Sequence, residues 1–163
     1  MKQLIIVRHA KSSWADPGQQ DFDRPLNERG KKDAPVMGQR ILDTGVKIDA
    51  FVSSPAKRAH QTCTAFAEAY GRKEGEIILV KDLYHAPSHV YYETLADLDD
   101  AYESVAIFGH NPGITDFVNT LCNEIHTDNM PTCAVFYVKA DVKRWKDFEN
   151  AEKNFIFFKT PKD

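Results

Sequence analysis

Apolar runs of four or five residues recur along the chain, each bounded by charge or by turn residues, and their spacing predicts strands alternating with helices. Residues 3 to 8, built on Leu4-Ile5-Ile6-Val7, read as a strand buried on both faces, because a β-branched run without polar alternation has no solvent side. Residues 49 to 53, Ile77 to Val80 and Ser104 to Phe108 read as three more strands. Two late runs, Cys133 to Val138 and Phe155 to Phe158, are expected to pair antiparallel near an edge.

The intervening stretches carry helix signals. Asn27 is placed to cap a helix that reaches about Leu42, and Pro35 inside it predicts a kink or a restart. Ser54-Pro55 reads as a helix start, a capping side chain followed by proline in the first position; Ala59, Cys63, Phe66 and Ala67 fall on one face, and Gly71 marks the end. An acidic stretch with no lysine or arginine from Asp82 to Glu103 is expected to be largely helical, and Pro112-Gly113 leads into a helix from Ile114 to Leu121. Strands alternating with helices argue an α/β fold, a three-layer α/β/α sandwich with a mostly parallel central sheet. With no linker or repeat, residues 1–163 are expected to form a single domain.

Composition narrows the classes. No apolar run approaches the roughly 18 residues of a membrane span, and Met1-Lys2-Gln3 leads straight into a strand. A cytoplasmic protein without membrane contact is expected, and a monomer. Cys63, Cys122 and Cys133 are an odd count without metal-ligand spacing, hence buried thiols. The net charge is −3, with Lys and Arg in excess over residues 1 to 60 and Asp and Glu in excess thereafter. A nucleic-acid partner would call for a basic face, so this mild split fits a local anionic ligand better.

The chemistry gathers at strand exits. Arg8-His9 follows the first strand, Gly109-His110 the fourth, and Arg58 lies in the first turn of the helix after the second. Ligands of open parallel sheets sit beyond these carboxyl ends. An arginine beside a helix N-terminus is mildly unfavourable alone, but a phosphate between the two reverses the sign. His9 among arginines should lose proton affinity, leaving a neutral imidazole able to attack phosphorus. Taken singly, each residue also has a plain role: Arg58 reaching into solvent, His110 capping the next helix.

As an ordered set, Arg8-His9-Ala10, Ser53-Ser54-Pro55-Ala56-Lys57-Arg58-Ala59-His60-Gln61-Thr62 and Gly109-His110-Asn111 resemble the histidine phosphatase superfamily, with its phosphoglycerate mutase-like fold. Arg24-Pro25-Leu26-Asn27-Glu28-Arg29-Gly30 and Leu83-Tyr84-His85-Ala86 resemble the SixA branch of phosphohistidine phosphatases. The resemblance implies His9 as phosphate acceptor, Arg8 and Arg58 as clamp, His110 as second pocket histidine and Arg24 as a further phosphate ligand. Ser12 and Asn111 are added as candidate substrate contacts, and neither metal nor cofactor is implied, because a cluster of cations repels a divalent ion. Ala10 stands where the family usually has glycine, and Ala15 where many members have a polar residue. The carboxylic acid that ester-cleaving members place after the third strand aligns with Tyr84, between Asp82 and His85.

A phosphoramidate needs little such help, since protonated imidazole leaves readily. The sequence therefore points to a metal-independent phosphohistidine phosphatase acting on a phosphorylated protein or small molecule through a phosphohistidine enzyme intermediate. Two alternatives stand beside it: a phosphatase for small phosphomonoesters with Asp82 or His85 as acid, and a non-catalytic module that binds phosphorylated ligands.

Overall fold

A computed structural model describes residues 1–163. Its strands are β1 (Lys2–Arg8), β2 (Ala50–Ser53), β3 (Ile78–Leu79), β4 (Ser104–Gly109), β5 (Val135–Ala140) and β6 (Lys153–Lys159). Its helices are α1 (Glu28–Asp43), α2 (Lys57–Ala69), α3 (Ser88–Ala96) and α4 (Gly113–Leu121). The strands form one sheet in the order β3-β2-β4-β1-β5-β6; β1 to β4 run parallel, and β5 and β6 are antiparallel additions.

The unbroken apolar runs are explained by burial on both faces. Leu4 and Ile6 of β1, with Val105 and Ile107 of β4, pack under α3 and α4 through Tyr91, Leu95, Ile114 and Phe117. The alternate residues Ile5, Val7, Ala106 and Phe108 pack under α1 and α2 through Met37, Ile41, Cys63 and Phe66. The result is the expected three-layer sandwich, and all three cysteines are free and buried.

Several boundaries differ from the sequence reading, each for a local reason. Asn27 caps α1 as expected, its Oδ1 accepting from Gly30 N at 2.9 Å, but the helix runs on through Pro35 as one element. The helix after Ser54-Pro55 begins at Lys57, not at Pro55, because Ala56 is still extended, with φ −56° and ψ 138°, and its carbonyl is the first to accept a helical bond, from His60 N. Its end is as expected: Gly71 adopts φ 74° and Arg72 N returns to Ala67 O. The third strand shrinks to two residues at the sheet edge, where Leu79 faces solvent, and the acidic stretch is helical only as far as Ala96. Of the late strands, β5 is interior and β6 alone forms the edge.

Candidate active site

Parallel register brings the chemistry together. Arg8 pairs with Gly109 across β1 and β4, and His9 N donates to Gly109 O at 3.2 Å, so His9 and His110 leave neighbouring strands side by side. Their ring centroids are 5.2 Å apart. Ser53 pairs with Phe108, which sets the Ser54 hydroxyl 2.7 Å from His110 Nε2. The chain can pass this closely because residue 109 is glycine: a Cβ there would collide with the Tyr91 hydroxyl, to which His110 N donates at 3.3 Å.

Arg24 arrives by a different route. Ser13 N bonds Pro25 O and Asn27 N bonds Lys11 O, at 2.8 and 2.9 Å, which ties the segment before α1 to the segment after β1. Arg24 is thereby buried; its Nη1 donates to Ser12 Oγ at 2.8 Å and its guanidinium stacks 3.5 Å over the Trp14 ring.

These residues line one cavity of about 300 Å³, together with Lys11, Asp21, His85, Asn111 and Thr132. Arg58, expected at an exposed helix start, is instead only 5% exposed. Its Nη1 donates to Asp21 O at 2.6 Å and its Nη2 to Asp21 Oδ2 at 3.0 Å. Asn111 faces the cavity, with its amide held by Asn129 and Thr115. Of the three residues around the missing acid, His85 lines the cavity. The Tyr84 hydroxyl donates to Asp21 Oδ2 at 2.5 Å, and Asp82 belongs to a separate cleft with Phe22 and Leu79.

Sequence reasoning missed four contributors. Asp21 binds both Arg24 and Arg58; its one sequence signal is the three-residue spacing to Arg24. Thr62 bridges the two halves of the site, accepting from Ala10 N and donating to Arg58 O. Met130 O receives Arg8 Nη1 at 2.9 Å, and Cys133 N donates to the carbonyls of both Arg8 and His9.

The electrostatics favour a neutral His9 imidazole. His9 Nδ1 lies 2.7 Å from Ala10 O, and a carbonyl only accepts, so Nδ1 carries the proton and Nε2 the lone pair. Burial, and then the charges of Arg8, Arg58 and Arg24, push the His9 imidazole down to about 3 against the bond to Ala10. Burial first, then His9 and Arg58, push His110 down to about 2. Burial would raise the Asp21 carboxyl, but hydrogen bonds from Tyr84 and Arg58 and the Arg58 charge outweigh it and hold Asp21 ionised. Buried Arg8 Nε, Arg58 Nε and His110 Nδ1 have no partner. Unpaired buried donors are costly, and here all three belong to residues that line the one cavity.

This arrangement predicts acid sensitivity. The two imidazoles titrate near 6.5 in an unfolded chain but at about 3 and about 2 in the folded one. Between those values the unfolded state binds more protons, so stability is full above about pH 6.5 and falls as pH drops through this window. The urea midpoint should be clearly lower at pH 4.5 than at pH 7, and His110→Ala should flatten the dependence. Equal wild-type midpoints at the two pH values would rule out buried neutral histidines.

Residues 4–84, which include Arg8, His9, Arg24 and Arg58, match the model of the histidine phosphatase superfamily (branch 1). A solved structure assigned as phosphohistidine phosphatase SixA of Agrobacterium tumefaciens is 27% identical, with TM-score 0.83 over 98% of both chains. A protein histidine phosphatase SixA complexed with tungstate shares the fold, at 22% identity and TM-score 0.81 over 98% of this chain and 97% of that one. Phosphoserine phosphatase 1 of Hydrogenobacter thermophilus is 41% identical over 71 residues, 42% of this chain and 33% of that protein. Since the matched stretch carries the first histidine and the arginines, and the whole-chain fold sets His110 beside them, the chain belongs to the histidine phosphatase superfamily and has the architecture of its SixA-type members.

Proposed function

We propose that the protein is a metal-independent phosphohistidine phosphatase working in two steps through His9. The carrying observation is the cavity that His9, its Nε2 lone pair unengaged, lines together with three donors, Arg8, Arg58 and His110, each of which keeps one buried nitrogen without a partner. In the first step Nε2 attacks phosphorus in line while these donors and Arg24 hold the equatorial oxygens; in the second, water attacks the phosphorylated His9. Catalysis is then positioning and charge stabilisation.

We assign the Ser54 hydroxyl as donor to His110 Nε2, which puts the proton of neutral His110 on Nδ1, the ring nitrogen without a partner, as the donor to a phosphoryl oxygen. Metal independence is supported by the donor set: no three His, Cys, Asp or Glu side chains are grouped to hold an ion. Phosphohistidine as substrate class is supported by the whole-chain likeness to the Agrobacterium SixA structure. It is also supported by the state of the carboxylate at the cavity, because Asp21 is held ionised by two arginines and cannot donate a proton.

The test is a substrate panel on one enzyme stock, with and without chelator. Phosphohistidine proteins should be hydrolysed with higher kcat/KM than sugar phosphates, unchanged by EDTA. Faster turnover of a sugar phosphate would overturn the substrate class, and activity lost in EDTA and restored by magnesium or zinc would overturn metal independence. A binding module without turnover is disfavoured, because a phosphate clamp alone has no use for a desolvated imidazole lone pair; failure to hydrolyse any donor would reinstate it.

A further inference from the structure

Apolar side chains left in water cluster beside the phosphate cavity. Six large ones are well exposed, and three of these stand at the site: Trp14 lines the cavity itself, and Phe22 and Leu79 line the cleft next to it. That cleft holds about 690 Å³, and Pro55 and Tyr84 complete its apolar wall. It adjoins the cavity across the bond from the Tyr84 hydroxyl to Asp21, and Phe22 packs edge-on against the Tyr84 ring with centroids 5.1 Å apart. The phosphoryl chemistry uses neither Phe22 nor Leu79.

Charge is graded along the same path. The cavity carries Arg8, Arg24 and Arg58. Asp82 lines both the apolar cleft and a further one beyond it, where Glu93 and Asp97 stand among Ile78, Val80 and Leu98. Asp82 and Asp97 take part in no ion pair and Glu93 meets only His89, while Lys81 is the one cation on either cleft. A ligand that fits all three zones carries a phosphoryl group, then an apolar side chain, then a base. A small phosphorylated molecule engages the first zone; a protein segment presents all three in order. A second copy of this chain is disfavoured, because a two-fold contact here would set the same carboxylates against each other.

We propose that the cleft of Phe22, Pro55, Leu79 and Tyr84 is the docking site of a phosphorylated protein. An apolar side chain of the partner seats there while its phosphoryl group enters the cavity, and a lysine or arginine farther along faces Asp82 and Asp97. This deepens the reading above: it rests on the cavity as a phosphoryl site and narrows the substrate to a protein.

The test uses short labelled peptides with a central triazolyl phosphonate in place of phosphohistidine, a group whose C–P bond resists hydrolysis. Their flanks are glycine and serine, or leucine, or leucine followed outward by lysine or by glutamate. Fluorescence anisotropy should show leucine tightening Kd about 10-fold, the scale of one leucine side chain leaving water. Lysine should bind about 10-fold tighter than glutamate, a difference that shrinks at about 0.5 M salt. Leu79→Ser should remove the leucine gain, and Asp97→Lys should cut the lysine preference to about threefold or less; both positions are exposed. Equal wild-type affinities across the series, or gains that survive both variants, would overturn the docking site. So would a wild-type dimer in sedimentation that Leu79→Ser converts to a monomer, since the occupant would then be a second copy.

Turnover is assayed alongside, with phosphoramidate as a small donor and the phosphohistidine forms of the same peptides. Leu79→Ser should leave phosphoramidate hydrolysis unchanged and raise KM for the leucine peptide. An equal loss on both donors would make Leu79 a structural residue and overturn its place in docking. Failure of the wild type to hydrolyse either donor overturns the phosphatase reading, while the affinities still decide the docking site.

Discussion

His9→Ala is expected to lower kcat by about 10⁴-fold or more, the scale seen when a covalent nucleophile is removed. The variant should remain folded, because the side chain makes one hydrogen bond, to the neighbouring Ala10 carbonyl, and the rest of the seat is held by Thr62, Met130 and Cys133. In the wild type, quenching during turnover should trap an acid-labile, base-stable phosphate on His9. Two outcomes would sink the mechanism: a His9→Ala variant with wild-type turnover, or a trapped phosphate on His110. The second is a real alternative to test, since both rings are buried and neutral. The asymmetry between them is in their partners. His9 Nε2 carries its lone pair toward the cavity, whereas His110 Nε2 is occupied by Ser54.

The strands were legible because burial on both faces writes itself as an unbroken β-branched run, and Leu4 to Val7 and Val105 to Phe108 both do so. The strand at 77 to 80 is shorter than its apolar run for the opposite reason: at a sheet edge only Ile78 and Leu79 are in register with β2, Val80 N making a last bond to Ser53 O, and apolar character outlasts pairing. Ser54 looked like a helix cap because its type and its proline neighbour fit that role. The structure keeps a local bond, Ser54 Oγ accepting from Ala56 N, and adds one to His110; a contact 56 residues distant leaves no mark in local sequence.

The same distinction separates the found from the missed parts of the site. Arg8, His9, Arg58 and His110 sit where strands or a helix begin or end, so topology alone places them at one edge. Asp21 lies in a short 3-10 turn whose position depends on the ties between residues 11 to 13 and 25 to 27. Thr62 reads as an ordinary helix-face threonine, and Met130 contributes only a carbonyl, which no side-chain pattern can announce.

Arg58→Ala should cost activity and stability together, and the second effect follows from Asp21. Losing one preorganised donor to a phosphoryl group costs about 2 to 4 kcal/mol of transition-state stabilisation, or roughly 30- to 1,000-fold in kcat/KM at about 1.4 kcal/mol per decade. An arginine in solvent would leave folding untouched. Here the guanidinium is buried and donates twice to Asp21, and hydrogen bonds to charged groups are worth about 1.5 to 3 kcal/mol. Against this stand the repulsion between Arg58 and Arg8 and the unpartnered Nε, both of which the substitution relieves. The two bonds outweigh them, because Asp21 would keep only Arg24 and Tyr84 as partners; the net loss is expected to be about 1 to 2 kcal/mol. Inorganic phosphate separates the roles. A ligand that binds only the folded state raises the unfolding midpoint, so millimolar phosphate should stabilise the wild type and leave Arg58→Ala nearly unchanged. A variant that unfolds more easily, yet keeps wild-type kcat/KM and its stabilisation by phosphate, would make Arg58 a strut for Asp21 rather than a phosphate ligand.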